Sequence, residues 1–178
     1  MKRITVVRIL LGILLILNLI MIFSFSAESA AESGQTSASV TKIVAEIVIR
    51  DFEQMDCAEQ QLIVDRLHPT VRKLAHMTEF GTLGALALLF LQTWKPPYRK
   101  SAPPALLFTT AIASADEFNQ FVQQSGRAGE ITDVLIDLLG GAIAILLIWC
   151  ISKLKLLISK RIRKRYENNT LPCFVSKA

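Results

Sequence analysis

At 178 residues with 52% apolar side chains, the chain is too hydrophobic for a disordered segment and of a length to form one compact bundle. Its formal net charge of +5 would point to nucleic acid if Lys and Arg were evenly spread, but they are clustered, so no nucleic-acid partner is expected. Cys57, Cys150 and Cys173 lie in three different sequence environments, which leaves no disulfide framework and no metal-ligand spacing.

Lys2, Arg3 and Arg8 flank the apolar run Ile9 to Phe25, and Ile4 to Phe25 meets the ~20 residues that a bilayer span requires. The run is long for the h-region of a cleaved signal peptide, which favours an uncleaved first span. Ser26 to Ser39 is polar and linker-like. Val40, Ile43, Val44, Ile47 and Val48 then recur at helical spacing, with Thr36, Ser37 and Ser39 as candidate N-caps. A second short helix is predicted from about Ala58 to Leu67, ended by His68-Pro69 because the residue before proline resists helical geometry.

A second span is predicted from Arg72 to Leu91. The loop Gln92 to Ala102 follows, where Trp94 and Tyr98 beside Lys95, Arg99 and Lys100 read as interfacial anchors. Pro103-Pro104 opens a third span that must continue through Asp116, Glu117, Asn119 and Gln120 to about Val122 if it is to cross. Gln123 to Glu130 reads as a short turn and Ile131 to Ile151 as a fourth span. Behind it, Lys153, Lys155, Lys160, Arg161, Arg163, Lys164 and Arg165 interleave with Leu154, Leu156, Leu157, Ile158 and Ile162, as in a helix lying along an anionic leaflet.

The expected fold is therefore an all-α membrane protein with four transmembrane helices and an extracytoplasmic amphipathic helical segment between the first and second. Residues 1–25 form the cytoplasmic N-terminus and first span, 26–71 the extracytoplasmic helical loop, 72–151 a three-helix membrane core, and 152–178 a basic cytoplasmic tail. In this arrangement fourteen of the 20 Lys and Arg, Lys177 among them, fall on one side, so the positive-inside rule places both termini in the cytoplasm.

Ionisable residues within spans are expensive and mark candidate functional sites. Arg72, His76 and Glu79 share one helix face at i, i+4, i+7; Asp116 and Gln120, and Glu117 with Gln120 and Gln124, share faces on the third span; Asp133 and Asp137 are i, i+4 on the fourth. At ~1.5 Å per residue all three sets fall at one depth near the outer surface. Clustered carboxylates need partners, for which Arg72, Arg127 and His76 are available. Gly140 and Gly141, with Gly81, Gly84 and Ala85 opposite, would permit close helix contact. The polar site is thus read as Arg72, His76, Glu79, Asp116, Glu117, Gln120, Arg127, Asp133 and Asp137. His76-x-x-Glu79 is too little for a metal motif, and neither a metal nor a cofactor is expected.

The ordered motifs Arg72-Lys73-x-Ala-His76-x-x-Glu79-Phe80, Asp116-Glu117-x-x-Gln120, and Gly126-Arg127 followed by Asp133 and Gly140-Gly141 resemble the VanZ family of small bacterial membrane proteins over about residues 5–150. Asp137 departs from the pattern, since the family more often has Asn there, and it replaces a neutral amide with a charge. The resemblance implies a multi-pass protein of the bacterial cytoplasmic membrane, in a family named for a member associated with low-level resistance to the glycopeptide teicoplanin. Its expected partners are membrane lipids and a lipid-linked envelope precursor or a glycopeptide. The leading expectation is binding of an amphiphilic envelope molecule or glycopeptide at the outer-leaflet site. The alternatives are an intramembrane acid/base enzyme on a lipid-linked substrate, and a scaffold or proton-linked transport subunit.

Overall fold

A computed structural model of the chain describes residues 2–122 and 131–170. Among these it is all-helical: α1 (Lys2–Ser26), α2 (Ala30–Val48), a one-turn 3-10 helix (Phe52–Gln54), α3 (Cys57–Gln92), α4 (Tyr98–Val122) and α5 (Ile131–Thr170). The chain forms two compact units, Met1–Ile145 and Leu146–Ala178. In the second, α5 continues through the basic residues with no helix boundary at Ile151, and the Lys153 ammonium lies 5.9 Å from the centroid of the Trp149 ring.

Helices α1, α3 and α5 are long and apolar enough to cross a membrane. α4 has 25 residues, yet Asp116, Glu117, Asn119 and Gln120 interrupt its apolar run and keep it outside that class.

In the first unit α3 packs against α1, α2 and α4, and α1 also packs against α4. Ile22, Phe80, Leu83 and Ala113 form the core where α1, α3 and α4 meet, with Leu19, Phe108, Ile112 and Val134 around it. Polar clamps fix the two ends. At one end, Arg8 Nε donates to Thr93 Oγ1 at 3.1 Å and its guanidinium lies 3.9 Å from the centroid of the Trp94 ring, a cation–π contact. The Tyr98 hydroxyl donates to the Ile145 carbonyl at 2.7 Å. At the other end, Asn119 Nδ2 donates to Ser26 Oγ at 3.1 Å, and Ser26 Oγ donates to the Asp116 carbonyl at 3.4 Å. The start of α1 therefore meets the end of α3, and the end of α1 meets the end of α4.

Four local expectations are corrected. The linker-like stretch is helical from Ala30, because Ser29 and Glu32 form a reciprocal capping box: Ser29 Oγ accepts from the Glu32 N–H and the Glu32 carboxylate accepts from the Ser29 N–H. Thr36, Ser37 and Ser39 lie inside α2 and are not caps, and Ser37 and Ser39, like Thr41, donate back to its own carbonyls, those of Ser33, Gln35 and Ser37. Nor does Pro69 end a helix: α3 runs through it. Its two halves are anchored independently, Val64 in a cluster with Ala45 and Phe52, and Phe80 and Leu83 in the main core. Pro69 and Asp65 are both exposed, so the carbonyl that loses its donor is not walled in by protein. Finally, the loop before α4 is only Thr93 to Pro97, with Lys95 in the left-handed region at φ 57°, so Pro103 and Pro104 lie in the second turn of α4.

The inward face of α2 is made of small residues. Small residues, Thr41 and Ala45 with Ala38 beside them, pack towards α3, while Ile43 and Val48 are exposed and Ile47 is 79% exposed. A face of small residues lets two helices approach closely, and the larger aliphatics are left on the outside.

The capping box makes a pH prediction. Hydrogen bonds from the Ser29 backbone N–H, and then from its hydroxyl, hold the Glu32 carboxyl below the usual carboxylate range. A lowered folded-state value means that the cap is intact above the ordinary carboxylate pKa and is lost as pH falls through the lowered one. A carbon-13 NMR titration of labelled glutamates should show the Glu32 midpoint below the ordinary carboxylate value. Ser29→Ala should raise it part-way, since the backbone donor remains.

Candidate functional site

The site forms where α3, α4 and α5 come together, and glycine makes the approach possible. A Cβ built on Gly140 would stand 2.1 Å from the Met77 carbonyl oxygen, and one on Gly84 would stand 3.0 Å from Gly141 Cα. Only Cβ-free positions allow α3 and α5 to touch backbone to backbone here. One residue before Met77 is His76, and three before Gly140 is Asp137. The contact thus sets the distance between them: His76 Nδ1 lies 3.7 Å from Asp137 Oδ1.

α4 completes the cluster. Asp116 is 2% exposed and Asp137 fully buried, and one ligand-capable atom from each of His76, Asp116 and Asp137 lies within 4.8 Å of the others. Gln120 Nε2 donates to Asp116 Oδ2 at 2.9 Å, realising the i, i+4 pairing read from the sequence. Glu117 and Gln120 are buried on the same helix. Neither oxygen of Asp137 accepts a hydrogen bond from any described residue, and Glu79 Oε1 is likewise buried without one.

A groove of about 580 Å³ opens between α1, α2 and α3. Met21, Phe25, Val40, Val44 and Leu74 supply apolar walls, and Arg72, His76 and Glu79 line it from α3. His76 therefore belongs both to the groove and to the buried cluster.

Of the nine site residues read from the sequence, His76, Asp116 and Asp137 are brought together, with Gln120 bonded to Asp116. Arg72 and Glu79 face the groove, and Glu117 is buried on α4. Asp133 is half-buried in the first turn of α5, where the helix dipole favours an acid. Arg127 lies outside the described residues, as does Gln124. Lys73 is exposed and lines neither the groove nor the cluster, as a simple end anchor would be. Ser26 and Asn119, which tie α1 to the backbone of Asp116, were missed. A serine closing an apolar run looks like an ordinary helix end, and nothing in its spacing signals a partner 90 residues away. The contribution of α2 to the groove was missed too, because Ser33, Thr36 and Ser37 read as linker.

The described residues of the three ordered motifs thus come together where α3, α4 and α5 meet, and a family model described as VanZ/LLP1 matches residues 11–153, from the first helix past the glycine pair. The chain belongs to the VanZ/LLP1 family. Among curated proteins and among solved structures there is no match. Within this VanZ-family chain, the matched region contains the groove, the buried cluster and the Ser26–Asn119 clamp, while Arg8 lies just before it.

Proposed function

We propose that this VanZ-family protein is a four-span protein of the bacterial cytoplasmic membrane, with both termini in the cytoplasm, that binds an amphiphilic envelope molecule or glycopeptide and contributes to teicoplanin-type resistance. The observation that carries the reading is the groove: about 580 Å³, with apolar walls from Met21, Phe25, Val40, Val44 and Leu74, Ser33, Thr36 and Ser37 beside them on α2, and Arg72, His76 and Glu79 on its α3 wall. Ligand pockets commonly have ~300–1,000 Å³ and a few convergent polar groups in an apolar lining. An acyl or prenyl chain suits the walls, and a phosphate or carboxylate head group suits Arg72.

Two features support the topology. α4 spans about 37 Å at ~1.5 Å per residue, enough to cross a ~30 Å core, and its polar end packs into the site instead of facing lipid. Arg8 contacts Thr93 and Trp94, so the basic N-terminal flank and the basic loop after α3 share one end of the helices. The groove and its polar wall lie towards the opposite end, in the outer leaflet, and the exposed Ile43, Ile47 and Val48 let α2 rest on the membrane surface.

The test is binding of the full chain in nanodiscs to a prenyl phosphate, to phosphatidylglycerol and to teicoplanin in separate arms. Filling the groove with Ala75→Trp should weaken the bound probe at least tenfold, as should the combined Arg72→Gln, His76→Gln and Glu79→Gln exchange. Cells carrying that triple variant should lose any decrease in teicoplanin susceptibility conferred by the parent at equal protein level. Unchanged binding and unchanged susceptibility would sink the proposal.

One observation favours an acid/base enzyme as the second reading. His76 lines the groove and stands 3.7 Å from Asp137, so a buried carboxyl group lies beside an imidazole that a bound substrate could reach. Incubation with labelled lipid-linked precursors decides it, and no product under any condition removes this reading.

A further inference from the structure

We infer that His76, Asp116 and Asp137 form a divalent metal site, taking a transition ion that accepts nitrogen and oxygen ligands, such as Zn²⁺ or Mn²⁺. The inference stands apart from the amphiphile reading, since it concerns the buried side of His76 and not the groove.

Geometry is the first support. Metal–ligand bonds of about 2.1 Å place neighbouring ligand atoms roughly 3–3.5 Å apart. His76 Nδ1 and Asp137 Oδ1 are 3.7 Å apart, and no ligand atom of the three is more than 4.8 Å from another. The ligands come from three different helices, α3, α4 and α5, so the cluster is a product of the fold and not of one acidic stretch.

Asp137 is the second, independent support. It is 0% exposed, both its oxygens lack a hydrogen bond among the described residues, and one of them is directed at His76. His76 is the only Lys, Arg or His side chain within 4.0 Å of it among those residues. A buried carboxyl group with empty acceptor positions is costly unless something occupies them. A divalent ion would take those positions and offset the charge of Asp116 as well.

The arrangement around the ligands is also of the kind that metal sites use. Gln120 Nε2 holds the second oxygen of Asp116 at 2.9 Å, and the Ser26 hydroxyl and Asn119 amide fix the backbone of that turn. With three protein ligands, one to three positions remain for water or an oxygen of another molecule.

The experiment uses the metal alone. Full-length protein in detergent or nanodiscs is stripped with EDTA, equilibrated with Zn²⁺ or Mn²⁺ in separate arms, and bound metal is counted by mass spectrometry. Loss of the free Mn²⁺ resonance signal gives an independent readout. The expected result is one ion per chain in at least one arm, with affinity lowered tenfold or more in Asp137→Asn and Asp116→Asn proteins that remain monodisperse. Two variants on different helices guard against one of them failing to fold. No stoichiometric metal in the parent protein, or binding retained in both variants, overturns the inference. Neither outcome depends on whether prenyl phosphate or teicoplanin binds the groove.

Discussion

Gly140→Ala should destabilise the protein by about 3 kcal/mol, at the upper end of what overpacking a core typically costs. The reason is the identity of the atom in the way. The new methyl would lie 2.1 Å from the Met77 carbonyl oxygen, with the Met77 carbonyl carbon at 2.9 Å, and these are backbone atoms of another helix that no rotamer change can remove. α3 and α5 must separate. Gly34→Ala in α2 is the matched control, because nothing lies within 4 Å of the added carbon, and there alanine should be neutral or stabilising by up to ~1 kcal/mol. Gly141→Ala is an intermediate case: its nearest obstacle is Thr109 Cγ2 at 2.8 Å, a side-chain methyl with some freedom to yield. Thermal unfolding of the three variants in a mild detergent, followed by helical circular dichroism, should place Gly140→Ala lowest, Gly141→Ala between and Gly34→Ala highest. If Gly140→Ala unfolded with Gly34→Ala, the backbone contact would not hold these helices together. Since Met77 and Gly140 flank His76 and Asp137 in sequence, the same substitution should also pull the two site residues apart.

The helices were largely legible in the sequence because apolar runs near bilayer length are unambiguous, and α1 falls where hydropathy puts it. What was not legible follows from rules that are local. Ser29 and Glu32 make a capping box, but the pattern sits ahead of Ser33, Gly34, Ser37 and Ser39, residues whose own preference is for caps and turns, so it reads as linker. Pro69 reads as a stop because propensity takes no account of two packed clusters that hold the helix on either side of it. The aliphatic recurrence in α2 did not say which face turns inward: close helix packing selected the small-residue face and left Ile47 outside.

The site divides in the same way. That His76, Asp116 and Asp137 belong to one site could be read from topology, since three helices of alternating direction place them at one depth. That they converge within 4.8 Å, while Arg72 and Glu79 face a groove built by α1 and α2, could not. Convergence depends on helix rotation, and rotation here is set by the contact of Gly140 with Met77 and by the Ser26 and Asn119 clamp on Asp116. None of those pairings is encoded within a single motif.

The second large effect concerns Asp137, and its sign should depend on metal. In protein stripped with EDTA, Asp137→Asn should raise the unfolding free energy by about 1–3 kcal/mol, because leaving a buried polar group without hydrogen bonds costs that much and the amide can donate where the carboxylate cannot. Both Asp137 oxygens lack a hydrogen bond, and the residue is wholly buried among Asp116 and His76, so the native side chain is poorly satisfied by the described protein groups. Adding Zn²⁺ or Mn²⁺ at a hundred times its dissociation constant should stabilise the parent by about 2.7 kcal/mol and the variant by nearly nothing. The two proteins should therefore change order, or at least converge, as metal is added. Thermal unfolding with and without metal, on the same preparations, measures this directly. A variant less stable than the parent even in EDTA would mean that Asp137 has protein partners beyond those seen among the described residues. Parallel shifts of both proteins on adding metal would place the ion elsewhere. A crossing would explain why a costly carboxyl group stands at the tightest point of the helix contact: its stability is supplied by what it binds.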